Sequence, residues 1–302
     1  MNLTHINAWI DAIRPRTLPL AMAAIILGGS LAHAANAFRW DVFLLALFTT
    51  LFLQILSNLA NDYGDTIHAV DNDRRIGPRR TVQSGRISKA AMRKGITVTV
   101  LLSLATGLPL VWLGTRGQHP GITLLFLLLG FAAIGAAIKY TAGSNPYGYS
   151  GYGDVFVFLF FGLASVLGSY FLIAGKWDTL ILLPATAMGC LSTAVLNLNN
   201  MRDHENDALS GKRTLVVKRG VRWAKRYHLF LITVSVLAGL TYMLIEFHSP
   251  YQLLFLITLP LFVMHLHGVF HNHLPEQLDP YLKKLALTSL LFALSFGLGL
   301  LF

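Results

Sequence analysis

Nine separate apolar runs dominate this chain, at residues 18–35, 41–60, 96–114, 121–138, 155–174, 179–198, 228–246, 251–268 and 284–302. Each is close to the ~20 residues a helix needs to cross the hydrocarbon core of a bilayer. In lipid every backbone N–H and C=O must be satisfied internally, which leaves helices and closed barrels as the only spanning structures. These runs are continuously apolar and do not alternate as barrel strands do, so the expected fold is all-α: a polytopic membrane bundle of nine transmembrane helices. At 54% apolar and 13% charged residues, the chain holds more hydrophobic material than one soluble core of 302 residues uses. The one cysteine, Cys190, lies inside an apolar run, which excludes a disulfide framework and a cysteine-rich metal site.

The formal charge is +10, a balance that in a soluble protein would point to nucleic acid. Its placement points to a membrane instead, and no nucleic-acid partner is expected. With the N-terminus cytoplasmic and nine spans, 21 of the 24 Lys and Arg fall on the inside, leaving only Arg39, Arg116 and Lys176 outside. This is the asymmetry of the positive-inside rule, and it puts the C-terminus outside. Arg14 and Arg16 followed by Ala32-His33-Ala34 resemble a signal peptide, but a polytopic bundle follows and the first span is expected to be retained. Residues 1–16, with Trp9, Ile10 and Ile13 beside Arg14 and Arg16, form an amphipathic lead suited to the membrane interface. Residues 1–302 read as a single domain whose long polar interruptions, 61–95 and 199–227, both face the cytoplasm.

Those two interruptions carry the chemistry. The first begins in Ser57-Asn58-Leu59-Ala60-Asn61-Asp62-Tyr63-Gly64-Asp65, which continues the second span without a break. At 100° per residue Asn58, Asn61, Asp62 and Asp65 fall within an arc of about 100°. The second runs from Asn197 through Asn199, Arg202, Asp203 and Asp207 to Ser210-Gly211-Lys212-Arg213, with Asn199, Asp203 and Asp207 at i, i+4 and i+8. One acidic stripe alone is equally explained as a solvated helix end. Acids four apart repel in a bare helix, and two such stripes on one membrane face call for a cation. Oxygen-only ligands suit magnesium, which commonly bridges carboxylates to substrate phosphates. Arg74, Arg75, Arg79, Arg80 and Arg86 follow the first stripe, and Lys212, Arg213, Lys218 and Arg219 the second. A diphosphate needs both kinds of group, carboxylates for its metal and cationic donors for its oxygens. Ser210-Gly211-Lys212 lacks the glycine and strand of a nucleotide-hydrolysing loop. The rival class is a cation-coupled secondary transporter, whose acids would sit near the midplane on interrupted helices.

The two motifs, the nine spans and their orientation resemble the UbiA superfamily of intramembrane prenyltransferases over essentially the whole chain. The stretches Arg14-Pro15-Arg16-Thr17-Leu18-Pro19, 57–65, Tyr140-Thr141, 145–154 and 197–215 are most similar to its menaquinone-pathway branch, which prenylates 1,4-dihydroxy-2-naphthoate. Where many relatives continue the first motif as NDxxDxxxD, the last position here is Ala69, with Asp71 and Asp73 out of register.

The resemblance implies transfer of a polyprenyl group from polyprenyl diphosphate to 1,4-dihydroxy-2-naphthoate in a bacterial inner membrane, with loss of CO2 and diphosphate. Another aromatic acceptor, such as 4-hydroxybenzoate, is the alternative. It implies Mg2+ at Asp62, Asp65, Asp203 and Asp207, with the prenyl tail among the helices or in lipid. Asn58 and Asn61 would orient the metal or its waters, Asn199 would join them in binding substrate, and Arg79, Arg202 and Lys212 would contact diphosphate or carboxylate. Tyr140, Tyr147 and Asp154 would line the aromatic end, the tyrosine rings facing a cation and Asp154 holding the naphthol hydroxyl or assisting its deprotonation.

Overall fold

The structure is a computed structural model and describes residues 3–68, 76, 80–143, 146–272 and 274–302. Among these residues every regular element is helical. A short lead helix, α1 (Leu3–Ile13), precedes α2 (Leu18–Ala34), α3 (Trp40–Ile67), α4 (Lys89–Gly114) and α5 (Pro120–Lys139). Then come α6 (Gly153–Ala174) and α7 (Leu182–Leu209), the five-residue α8 (Leu215–Arg219), α9 (Val221–Ile245), α10 (Pro250–His271) and α11 (Asp279–Gly299). Nine helical stretches among the described residues are long and apolar enough to cross a membrane, the first running from α1 into α2 over His5–Ala34, as the nine runs lead one to expect.

α3 and α7 are the longest of these helices, and both outrun the bilayer. At 1.5 Å per residue the 28 residues of α3 and of α7 each reach about 42 Å, against a hydrocarbon core of about 30 Å. The excess is 61–67 and 199–209, so the first part of each polar interruption is helix, and the motif side chains ride on rigid extensions of the bundle. Thr17 marks the sharp entry to α2, its hydroxyl bonding back to the Arg14 carbonyl at 3.0 Å.

α7 is the central helix, with 18 buried residues. The main core gathers around its apolar half from α2, α6, α9, α10 and α11, through Leu27, Leu191, Phe255, Phe262, Phe292 and Phe296. α9 and α10 are also tied by His228 and His265, whose Nε2 atoms lie 2.9 Å apart. A smaller cluster joins Ala8 and Ala12 of α1 to Leu59, Val82, Ile87 and Met92. The lead helix thus buries its alanine face on the protein and leaves Ile6 and Ile10 exposed.

α5 is the opposite of α7, with no buried residue. In the sequence, Gly28 with Gly29 on α2 and Gly130 with Gly135 on α5 both read as helix-packing surfaces, yet only the α2 pair packs. Cβ atoms at Gly28 and Gly29 would lie 2.1 Å from Ser169 Oγ and 2.6 Å from the Phe43 ring. At Gly130 and Gly135 nothing lies within 4 Å.

Candidate active site

Two cavities share a wall at the motif end of the bundle. The apolar one, about 360 Å³, runs between α3, α4, α5 and α6 from Ala46, Val111 and Phe126 down to Asn61 and Tyr140. The polar one, about 220 Å³, is lined by the ends of α3 and α7 with Arg14, Arg16, Arg80, Lys212 and Lys283. Gln54, Asn61, Tyr140, Val157, Phe161 and Leu196 line both.

The end of α7 explains how Lys212 arrives there. Gly211 adopts φ 77°, the left-handed conformation that closes a helix without a Cβ penalty. The Gly211 N–H bonds to the Ala208 carbonyl at 3.2 Å and the Lys212 N–H to the Asp207 carbonyl at 2.8 Å, the paired bonds of a Schellman turn. The turn throws the Lys212 side chain back over the acids. Its Nζ sits 3.3 Å from Asp65 Oδ1 and 3.8 Å from Asp207 Oδ1, and 4.7 Å from the centre of the Tyr149 ring. One cation therefore bridges the two motifs.

Asp65 is engaged by two further side chains. Arg80 donates to its Oδ2 at 2.8 Å and the Tyr149 hydroxyl to its Oδ1 at 2.7 Å. Asn61 Oδ1 accepts from the Thr141 hydroxyl at 3.0 Å. Gly64 makes that crossing possible, since a Cβ there would meet the Thr141 carbonyl at 2.5 Å. On α7, Asn199, Asp203 and Asp207 all line the polar cavity, joined by Asn200 and Asn206. Arg202 does not line it. Its guanidinium, 1% exposed, donates to Asp203 at 2.8 and 2.7 Å and to Asn199 Oδ1 at 3.0 Å, and also bonds to Asp279 at the start of α11. Arg16 reaches the same Asp279 at 3.5 Å. A charge buried this deeply is tolerated because it is fully paired, and its geometry orients Asp203.

The first motif divides. Asp62 lines neither cavity. Its carboxylate accepts from the Thr81 N–H at 3.0 Å, the Thr81 hydroxyl at 2.7 Å and the Val82 N–H at 3.2 Å, anchoring the segment that leads into α4. Asn58 donates to the Ile13 carbonyl at 2.7 Å and Thr17 Oγ1 at 3.0 Å, fastening the lead to α3 while lining the apolar cavity. Arg79, Ala69, Asp71 and Asp73 lie outside the described residues.

Tyr140 stands at the seam, edge-on to Tyr147 with centroids 5.3 Å apart. Tyr147 packs on Phe156 at 4.1 Å and donates to the Ala136 carbonyl at 2.9 Å. Burial pushes the Tyr147 phenol up to about 12. Burial, then the nearby Asp154 charge, raises Tyr140 well above the usual phenol range. Both rings are neutral at ordinary pH and offer π faces and hydroxyl donors, not bases. Asp154 is buried and lines neither cavity; its Oδ1 has no hydrogen-bond partner.

No group of three or more His, Cys, Asp or Glu stands at metal-binding proximity among the described residues. The donors still suit a hard cation. Asp65, Asp203 and Asp207 supply oxygen-only ligands on the walls of one cavity, and the Lys212 ammonium already lies between two of them. Asp62 would join such a site only by giving up its bonds to Thr81 and Val82.

The sequence offered no means of picking out Arg80, or of seeing that Arg14, Arg16, Lys283 and Tyr149 line one cavity with the α3 and α7 acids and that Asp279 pairs with Arg202. Their common signal was charge near a membrane boundary, which topology alone explains.

Comparison with known proteins places this geometry in context. The model of the UbiA prenyltransferase family matches residues 21–291. The 1,4-dihydroxy-2-naphthoate octaprenyltransferase of Escherichia coli K12 is 44% identical over 300 residues, covering 99% of this chain and 96% of its own. Among solved structures, an apo UbiA homolog from Aeropyrum pernix K1 superposes with a TM-score of 0.70 at 12% identity, covering 92% and 96% of the two chains. A UbiA homolog from Archaeoglobus fulgidus bound to GPP and Mg2+ superposes at 0.56, 17% identical, over 96% and 99%.

Proposed function

The chain belongs to the UbiA prenyltransferase family, and from that premise we propose how its two cavities divide one reaction. The enzyme is a multi-pass membrane prenyltransferase of menaquinone biosynthesis, transferring a polyprenyl group from its diphosphate to 1,4-dihydroxy-2-naphthoate with release of CO2 and diphosphate. The observation that carries the division is the shared wall. A polyprenyl diphosphate has an anionic head and an apolar tail, and here a basic, acid-lined cavity lies against an apolar one, with Asn61 and Tyr140 lining both.

In this reading the diphosphate lies between the ends of α3 and α7. Asp65, Asp203 and Asp207 hold magnesium, with Asn61 and Asn199 beside them; Asp62 supports this set through the segment it anchors. Magnesium, when bound, neutralises the negative charge that grows on the leaving diphosphate. Lys212, Arg80, Arg14 and Arg16 share that task as charge-assisted donors. The Tyr140 and Tyr147 rings, at the point where head and tail part, stabilise the allylic cation. The electron-rich ring attacks that cation, and its carboxylate leaves as CO2, so the electron pair of the lost C–C bond restores the aromatic ring. Asp154 acts from behind Tyr140.

The whole chain works as one unit, with active-site segments 61–95 and 199–227 on the cytoplasmic face of a bacterial inner membrane, the N-terminus inside and the C-terminus outside. The distribution of 21 of 24 basic residues supports that orientation. Acids at helix ends beside basic loops also favour an enzyme over a transporter.

The test uses membranes containing the protein, given dihydroxynaphthoate or 4-hydroxybenzoate, a polyprenyl diphosphate, and Mg2+ or EDTA. Prenylation of dihydroxynaphthoate that EDTA abolishes is expected. Activity that survives EDTA removes magnesium, and preference for hydroxybenzoate overturns the acceptor.

A further inference from the structure

α5 forms the thinnest wall of the apolar cavity. It buries nothing, yet it borders the cavity from Phe126 to its end at Tyr140, about 21 Å at 1.5 Å per residue. Glycine inside a helix weakens it relative to alanine, and in membrane helices it is ordinarily repaid by close packing. Gly130 has no such return, since a Cβ there meets no atom within 4 Å. It is exposed and lines the cavity between Leu129 and Phe131, on the cavity's open side. Gly135 is half-buried, equally free of neighbours within 4 Å, and does not line the cavity, so only at Gly130 would a side chain border the cavity.

The geometry points to Gly130 as a specificity-determining residue for the donor: its missing side chain keeps the apolar cavity wide enough for long prenyl tails to pass. This rests on the reading of that cavity as the tail site. Gly130 lies ten residues from Tyr140, about 15 Å along the helix. At about 1.2 Å per extended bond a two-unit geranyl tail spans roughly 10 Å and stops short of it. An eight-unit tail spans roughly 40 Å by the same measure and must pass Gly130 before leaving for the bilayer. Leu108, Leu129 and Phe131 border the cavity while remaining exposed, so its side is open to lipid between α4 and α5. A branched side chain at position 130 would project into the path of the long tail alone.

The experiment compares turnover of octaprenyl and geranyl diphosphate with dihydroxynaphthoate in membranes containing the full chain. Gly130→Leu is expected to lower the octaprenyl-to-geranyl ratio at least tenfold and Gly130→Ala to lower it by a smaller factor. Gly135→Leu should leave the ratio where it is. An unchanged ratio in both Gly130 variants overturns the proposal. So does an equal shift in Gly135→Leu, which would mean that α5 responds to bulk anywhere, and so does parallel loss of both donors in Gly130→Ala. If the unsubstituted enzyme prenylates with neither donor, the functional reading itself falls, an outcome distinct from active enzyme with an indifferent ratio.

Discussion

Asn199, Asp203 and Asp207 step round α7 by about 40° each, and all three line the polar cavity. On α3, Asn58, Asn61, Asp62 and Asp65 cover about 100° and part company. Asn61 and Asp65, on one edge of that arc, line the polar cavity, whereas Asp62, on the other edge, is bonded to Thr81 and Val82. A helical stripe says which side chains share a face, but a face wide enough to meet two neighbours can serve both. The second motif is narrow and serves the cavity. The first is broad, and half of it is spent on holding the N-terminal lead and the approach to α4.

The most severe way to break this contrast is to remove the acids that meet across the cavity. Asp65→Ala and Asp207→Ala should each lower kcat by roughly a hundred- to a thousandfold, the scale of losing a preorganised charge at a reacting centre. The solubilised proteins should keep their helical circular dichroism. Prenylation within tenfold of the unsubstituted enzyme, in either variant, would separate that motif from the reaction.

Much of this was legible beforehand because the bilayer imposes hard rules on composition. Nine apolar runs became nine helical stretches of membrane-crossing length among the described residues, since lipid leaves the backbone no other option that suits continuous hydrophobicity. The acid spacing on α7 was equally readable, a helix continuing past the membrane being a local property. Arg80 and Tyr149 were not, because their meeting with Asp65 depends on where two connections return to the bundle, 15 and 84 residues away in sequence. Arg202 misled for a related reason. Beside Asp203 it reads as a phosphate ligand, and only Asp279, 77 residues on, turns it into a buried brace. Gly130 and Gly135 were indistinguishable from packing glycines until the space beside α5 was seen.

A sharper test of the first motif compares Asp62 with its own partners. Asp62→Ala leaves two backbone N–H groups and a hydroxyl at 81–82 without their acceptor. Each buried donor left unsatisfied costs about 1–3 kcal/mol, so a marked drop in detergent Tm and faster proteolysis around 80–88 are expected, together with lost turnover that added Mg2+ does not restore. Thr81→Val removes only the hydroxyl donor and should reproduce part of the Tm loss, about 1 kcal/mol. A full-strength Tm in Asp62→Ala with activity gone would mean that the carboxylate works at the metal, and that the motif is not divided after all.

The gentlest probe addresses the brace on the second motif. Arg202 holds Asp203 with one side of its guanidinium and Asp279 with another, so the two acids compete for one buried cation. Asp279→Asn keeps the shape and removes the competing charge, leaving Arg202 to bind Asp203 more tightly and making that carboxylate a poorer ligand. Because the Asp279 side chain is 35% exposed, solvent screens much of the effect. A three- to tenfold rise in the Mg2+ concentration for half-maximal activity is expected, at the low end of what supporting contacts to metal ligands contribute, with kcat at saturating Mg2+ changed less. A fall in kcat with no change in Mg2+ requirement would show that Asp279 serves the packing of α11 and leaves Asp203 untouched.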